Sequence, residues 1–474
     1  MKLEITNTFL KKIGAVADEH SIEAYVVGGY VRDKLLGKEV SDIDIVVVGN
    51  GIEFAEAVAV ALKKRKIVTY EKFGTAMMPT EGGKIEFVGA RKESYHRDSR
   101  NPIVEVGTLE EDLSRRDFTM NALAISLNSA QRGELMDPFH GEADLHEKII
   151  RTPLDPLATF DDDPLRIMRA IRFSSQLGFS IEETTRNAIP QMKERLAIIS
   201  QERITEEFMK IMASPKPSVG LRLMFDTGVL HIVFSEVAEL SGVDQRQDHH
   251  HKDVFLHTCQ VVDNISVMTG NIYLRMAALL HDIAKPKTKK FIEGIGWTFH
   301  GHEEIGARMV KHIFRKLKLP FEHIPYVEKI VRLHQRPMQL VDETVTDSAV
   351  RRILFEAGEE IDDLMTLCRA DITSKNPKLV KQYSENYDQV YAKMREVEEK
   401  DKLRAFQPPV RGDEIMQICD LPAGKLVGVL KSKIEEAILE GRIPNEHDPA
   451  LKFLLEIKDD VVREYHSQSS NQSL

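Results

Sequence analysis

Residues 25 to 49 read YVVGGYVRDKLLGKEVSDIDIVVVG, and two short apolar runs in this stretch organise the rest of the chain. Ala24 to Val27 reads as a buried strand, and Gly28 and Gly29 as a turn whose bare backbone lets a ligand approach. Val31 to Leu36 then forms a short helix, and Ile43 to Val48 a second strand. Side chains two apart on a strand share a face, so Asp42 and Asp44 project together at its edge. That pair suits magnesium, a hard cation that takes oxygen ligands. Two such ions can stabilise both the attacking and the leaving oxygen of a phosphoryl or nucleotidyl displacement. Gly28 and Gly29 would lend amides to a triphosphate, with Arg32 as a second anion contact. A GG pair alone is usually only a turn, and a lone D-x-D usually a solvated loop; the combination carries the information.

The joint pattern GG-x-x-R-D followed by D-x-D at the head of an apolar strand resembles the nucleotidyltransferase superfamily signature. A second stretch, Asp112-Leu-Ser-Arg-Arg-Asp-Phe-Thr-Met-Asn-Ala122, narrows this. By itself it reads as a charge cluster at a helix start. It is also similar, nearly letter for letter, to a motif of the tRNA nucleotidyltransferase (CCA-adding enzyme) and poly(A) polymerase family, in its bacterial branch. The resemblance implies that Arg115, Arg116, Asp117 and Asn121 shape the pocket for the nucleotide and the primer end. Between the two motifs, Lys84 to Val88 is a strand on which Glu86 faces either the acid pair, as a third carboxylate, or solvent. Gly89 to Thr108 is a polar loop; in the resembling family a loop here is needed for the final A addition. Asp137 to Gly141, with Asp144, matches a connector that reads as structural.

Helical character begins at Phe160. Asp161, Asp162 and Asp163 ahead of Pro164 read as a helix N-terminus, with acids where the dipole favours them. Asp163 and Arg166 then lie one turn apart on one face. Cytosine and adenine both present an exocyclic amine beside a ring-nitrogen acceptor, whereas guanine and uracil present a carbonyl beside a ring N–H. A carboxylate next to a guanidinium complements the first pattern and opposes the second. The family's D-x-x-R motif is understood in this way, and Asp163 and Arg166 match it; Asp162 stands where the family commonly has Glu. Glu202, Arg203, Ile204, Glu206 and Glu207 match a further motif, expected to brace this helix.

A second constellation follows. His257, then His281-Asp282, then Asp371, on a helical background, resembles the HD phosphohydrolase superfamily, which implies that these four residues ligate a divalent metal. His302 and His334 fall between them, as in HD proteins that hold two metals. Imidazole and carboxylate ligands accept several metals, so the ion is not fixed by sequence. Lys285 is placed to meet a substrate phosphate, unless Lys285 to Lys290 is only a solvated basic turn. The triple histidine 249–251 has no assigned role.

With 474 residues, the chain is too long for one ordinary domain, and its length alone suggests about three. The expected fold is an α/β nucleotidyltransferase head with a mixed sheet (1–145), followed by an all-α neck and body (146–240), an HD metal-binding domain (241–375) and a helical tail (376–474). Within the tail, Lys375 to Arg404 reads as an exposed strut and Ser467 to Leu474 as disordered. A net charge of −10 argues against nonspecific coating of nucleic acid, and RNA contact is expected at Arg115, Arg116 and the run Arg166, Arg169, Arg172. Cys259, Cys368 and Cys419 are too few and too scattered for a disulfide framework or a four-cysteine zinc site. With no apolar run of membrane length, a reduced cytoplasmic enzyme is the simplest fit. The implied reaction adds CCA to tRNA from CTP and ATP, with Mg2+ in the head and a second divalent metal in the HD region. The rivals are an enzyme adding only A, a poly(A) polymerase, which Lys72-Phe73-Gly74-Thr75-Ala76 disfavours, and a dedicated HD phosphohydrolase.

Overall fold

The computed structural model describes the chain outside residues 41, 64–66, 72–73, 81, 95–102, 244–252, 295, 342–345, 375, 402–408 and 472–474. Lys72 and Phe73, the middle of the 89–108 loop and the triple histidine therefore lie outside the described residues. Two compact units are formed, Met1–Ala238 and Glu239–Leu474.

The first unit begins with helix α1 (Thr8–Glu19), capped by the Asn7 side chain. Strand β1 (Ala24–Val27), α2 (Gly29–Leu35), β2 (Ile43–Val47) and α3 (Gly51–Ala61) follow. Next come β3 (Val68–Tyr70), β4 (Thr75–Thr80), β5 (Gly83–Gly89), the pair β6 (Arg91–Ser94) and β7 (Ile103–Val106), α4 (Leu109–Ser114), β8 (Ala124–Ser126) and β9 (Leu135–Met136). Seven strands form one sheet in the order β3-β4-β5-β2-β1-β8-β9. Only β2 and β5 run parallel within it. All four residues of β1 are buried, which is why its sequence, AYVV, is apolar without alternation. The core beneath the sheet includes Leu10, Ile13, Ile45, Phe54, Phe87 and Phe118.

After α5 (Gly141–Glu147) and β10 (Ile149–Ile150), the chain turns helical: α6 (Pro156–Asp162), α7 (Leu165–Leu177), β11 (Ser180–Ile181), α8 (Glu183–Met192), α9 (Gln201–Met212), α10 (Pro217–Asp226), α11 (Val229–Val233) and α12 (Ser235–Ala238). Here the expectation for the three acids needs correction. They do not open one helix: α6 ends at Asp162, Asp163 is extended (φ −140, ψ 96) and α7 starts after Pro164. Proline disfavours helical backbone in the residue before it, so Pro164 forces the break. Asp163 still caps, accepting the Leu165 N–H at 3.2 Å.

The second unit holds α13 (Val254–Met268), α14 (Ile272–Leu280), α15 (Lys285–Thr288), a hairpin of β12 (Lys290–Ile292) and β13 (Gly296–Thr298), α16 (His302–Lys316), α17 (Ile324–Leu333), α18 (Asp347–Ala357) and α19 (Ile361–Ala370). Helix α20 (Pro377–Asp401) is not the exposed strut its charge suggested. Tyr387, Val390, Met394 and Val397 are buried along one face, a stripe at helical spacing. The tail helices α21 (Gly412–Cys419), α22 (Lys425–Leu439) and α23 (His447–Asn471) enclose their own core of Val410, Ile415, Leu430, Ile434 and Leu454. Helix α23 continues to Asn471, so the polar end expected to be disordered is helical that far. No described helix is long and apolar enough to cross a membrane.

Candidate active sites

In the first unit, strand register builds an acidic edge. Asp44 lies opposite Val27 of β1 and beside Glu86 of β5, and the Lys84 amide donates to Asp42 at 3.3 Å. Glu86 thus stands next to Asp44, bonded to Lys84 at 2.5 Å. Burial pushes the Asp44 carboxyl above its usual range, the charges of Glu86 and Asp42 add to this, and Arg116 opposes it. Three carboxylates brought to one strand edge make a donor set that fits divalent cations with oxygen preference.

The glycine turn works by what it lacks. Gly28 has φ +69, and a Cβ there would lie 2.9 Å from Arg116 Nη1 and 3.7 Å from Asp44 Oδ2. Its amide is already donated to the Leu123 carbonyl at 3.2 Å, so the expected amide cradle is reduced at this position. The space beside Gly28 belongs to Arg116. That guanidinium is held by Asp112, as is Arg115. Asp112 is fully buried and, despite the cost of burial, its two arginines keep its carboxyl below the usual range. Arg116 Nε is a buried donor without a protein partner among the described residues.

Arg32 points inward. Nε and Nη2 bond Asp33 at 2.9 and 2.7 Å, and Nη1 bonds the Asn121 oxygen at 2.9 Å. Asn121 in turn donates to Asp117 at 2.9 Å, and Asp117 accepts from Arg169 Nε at 2.8 Å and Nη2 at 2.5 Å. This relay joins α2 to α7. The Phe173 ring completes it, with Arg32, Arg169 and Arg172 at 5.0, 5.5 and 4.2 Å from its centroid.

Asp163 and Arg166 sit where α7 meets the sheet domain, each held separately. Arg166 is buried and donates to the Thr159 carbonyl at 3.2 Å and the Arg115 carbonyl at 2.6 Å. Asp163 lies 3.7 Å from Arg203. Arg172 pairs with Glu207 at 3.1 Å, so α9 braces α7. The arginine run is therefore internal: Arg166 and Arg172 are buried and Arg169 is spent on Asp117. It offers no open RNA-contacting stripe, contrary to expectation.

In the second unit, all six expected ligands converge as two triads. His257, His281 and Asp371 form one; Asp282, His302 and His334 form the other. Asp282 joins them: Oδ2 is 3.2 Å from His281 Nε2, and Oδ1 is 3.3 Å from His302 Nε2. The Nδ1 atoms of His281, His302 and His334 lie 2.7, 2.8 and 2.6 Å from the carbonyls of Ala278, Phe299 and Val331. A carbonyl only accepts, so each of these Nδ1 atoms carries a proton and each Nε2 is turned inward. His257 Nε2 and His281 Nε2 are 3.4 Å apart. Burial, with help from His281, pushes the His334 imidazole down to about 3, leaving it neutral. Imidazole nitrogens turned towards carboxylates, with their outer nitrogens anchored on carbonyls, form a donor set that could hold a divalent metal. Lys285 stands at its rim, 2.6 Å from Asp282 Oδ2.

Family models match three segments: the poly A polymerase head domain over residues 24–151, the probable RNA and SrmB-binding site of polymerase A over 178–240, and the HD domain over 254–375. A multifunctional CCA protein of Neisseria gonorrhoeae is 32% identical over 362 residues, covering 74% of this chain and 83% of that protein. The chain belongs to the CCA-adding enzyme family. A CCA-adding enzyme of a Geobacillus species is 42% identical over 225 residues, 47% of this chain and 54% of that one, so that match spans about half of the relative's length. The crystal structure of the Bacillus stearothermophilus CCA-adding enzyme in complex with CTP superimposes with a TM-score of 0.67 at 25% identity, covering 97% of this chain and all of the other.

Both parent families, nucleotidyltransferase and HD, are metal-dependent. In this CCA-adding family member, sequence reasoning missed Asp112, Lys84 and Phe173. Asp112 precedes two arginines at i+3 and i+4, the spacing at which a helix lets one carboxylate hold both. Lys84 shares a strand face with Glu86. Phe173 gave no separable signal, since an aromatic in an apolar helix face looks like any core residue.

Proposed function

We propose that this chain completes tRNA 3′ ends with CCA, using CTP and ATP and releasing pyrophosphate. The observation that carries this reading is the junction of two devices through one segment. The acidic edge Asp42, Asp44 and Glu86 adjoins Arg116, and the neighbouring Arg115 carbonyl receives Arg166 from the base-selecting helix. The nucleotide is thereby set against both its charge-bearing and its base-reading residues.

Magnesium held by Asp42 and Asp44, with Glu86 beside them, would supply Lewis acidity to the α-phosphate and lower the pKa of the attacking 3′-hydroxyl. The chain's own residues do the rest. Arg115 and Arg116, aimed by Asp112, meet the triphosphate. Asp163 and Arg166 present an acceptor and donors to cytosine or adenine, and Arg166 is fixed by two carbonyls so that it reads the base without shifting. Asp117 and Asn121 act through the relay, as does Arg32, which ties α2 to α7 instead of meeting an anion. Residues 1–145 then carry catalysis, 146–240 base selection and RNA binding, 241–375 the metal centre and 376–474 the tail. The three cysteines are free, in keeping with a cytoplasmic compartment.

Purified protein with magnesium and a tRNA transcript lacking its last three nucleotides should grow by three residues only when CTP and ATP are both present. Extension by ATP alone of transcripts already ending in CC, and of no others, would make it an A-adding enzyme. An indefinite A ladder would make it a poly(A) polymerase.

Gly28→Ala gives a separate test of the turn. At φ 69, ψ −133 a side chain strains the backbone by about 1–3 kcal/mol, and the substitution places a methyl against Arg116. The KM for nucleoside triphosphate should rise about tenfold while far-UV circular dichroism stays unchanged; an unaltered KM would remove Arg116 from the triphosphate site.

A second activity is read from the six-ligand centre: hydrolysis of phosphate esters, with Lys285 holding the ester's charge. The metals there would be held by His257, His281 and Asp371 on one side and His302 and His334 on the other, Asp282 serving both.

A further inference from the structure

The four imidazoles of the six-ligand centre are not anchored alike. His281, His302 and His334 rest their outer nitrogens on main-chain carbonyls, whereas His257 Nδ1 meets a side chain, the Thr373 hydroxyl, at 2.9 Å. We infer that Thr373 is the positioning residue of His257, and that its hydroxyl sets how firmly the triad His257, His281 and Asp371 holds an ion. The inference rests on reading that triad as a metal site.

His257 needs such a partner because of its place in the chain. It is the fourth residue of α13, and the carbonyl three positions before it, that of Val254, is already taken up in the helical ladder. Its outer nitrogen must therefore be satisfied by another element. The segment that carries Asp371 supplies it. Asp371 Oδ1 lies 2.9 Å from His257 Nε2 and Thr373 Oγ1 2.9 Å from Nδ1, so residues two apart grip the ring at its two nitrogens.

This grip has a fixed base. Immediately before Asp371, the Ala370 carbonyl accepts from Asn264 of α13 at 2.7 Å, and the Cys368 thiol donates to the His334 carbonyl at 3.1 Å. The end of α19 is thus fastened to α13 and to the end of α17, and Thr373 follows it outside any helix. A ring that gives Nε2 to an ion carries its proton on Nδ1, and the hydroxyl then accepts that proton. Without it, a buried N–H would lack its acceptor and the ring would lose one of its two holds. Removing an outer partner of this kind costs about tenfold to a hundredfold in metal affinity. Asp282, His302 and His334 have anchors of their own, so the effect is confined to one ion.

Manganese titration, followed by the electron paramagnetic resonance of the free ion, tests this on the full-length chain. The parent carries Asp44→Asn, which weakens the acidic edge of the first unit so that the ions counted belong to the second. The parent should bind two ions. Thr373→Val keeps the shape of the side chain without the hydroxyl; it should weaken one ion about tenfold or more and leave the other unchanged, which also shows that the centre is folded. Thr373→Ser should restore both. Thr373→Val protein that binds both ions as the parent does, or loses both alike, overturns the inference. So does Thr373→Ser protein as weak as Thr373→Val, which would make the methyl group, and not the hydroxyl, the part that matters. A parent that binds no manganese in the second unit would instead remove the metal-site reading, and this inference with it.

Discussion

Asp44→Asn should lower extension of a tRNA lacking CCA by about a thousandfold or more. The side chain keeps its shape, so the strand pairing of Asp44 with Val27 and Glu86 is preserved. What is lost is one charge of a three-acid edge, at the position where burial and like charges already work against ionisation. A thousandfold corresponds to about 4 kcal/mol of barrier, within the several kcal/mol that Lewis-acid stabilisation of a phosphoryl oxygen contributes. Single-turnover extension with saturating CTP and ATP measures it directly. Phosphate release by the six-ligand centre should be untouched, which separates a specific loss from a general one. A fall of less than tenfold would take the reaction away from this edge.

The second large effect concerns Asp282. Its two oxygens face different triads, so Asp282→Asn removes a shared anionic ligand. Metal content measured by mass spectrometry should drop from two ions per chain to none, with ester hydrolysis falling at least about a thousandfold. His334→Ala touches one triad alone and should retain one ion. Equal metal content in the two variants would mean that Asp282 does not serve both. CCA addition should persist in each, because the acidic edge lies in the other compact unit.

Much of this architecture was legible because it is written in short-range terms. The strand-turn-helix-strand order of residues 24–48 follows from apolar runs and two glycines, and the face shared by Asp42 and Asp44 follows from strand alternation alone. The six histidines and aspartates that the structure brings together in the second unit were legible as types. Their division into two triads was not, since which oxygen of Asp282 faces which imidazole depends on how α14, α16 and α17 pack. The arginines of α7 misled for a related reason. Arg166, Arg169 and Arg172 look like a basic stripe until Asp117 and Glu207, dozens of residues away, are placed against them. The helix break at Asp163 was visible in Pro164 and was outweighed by the capping signal of three consecutive acids.

The three histidines whose Nδ1 atoms rest on carbonyls take them from the residue three positions back: Ala278 for His281, Phe299 for His302, Val331 for His334. His281 and His334 close the helices α14 and α17, so the proton that orients each imidazole also satisfies a terminal carbonyl of its own helix. For His281 and His334, imidazole orientation is therefore a by-product of helix termination. Those two imidazoles are oriented when their helices form, so an ion bound there would meet a preset spacing. A metal taken up by such a centre would be chosen by fit, in the manner of a rigid chelator.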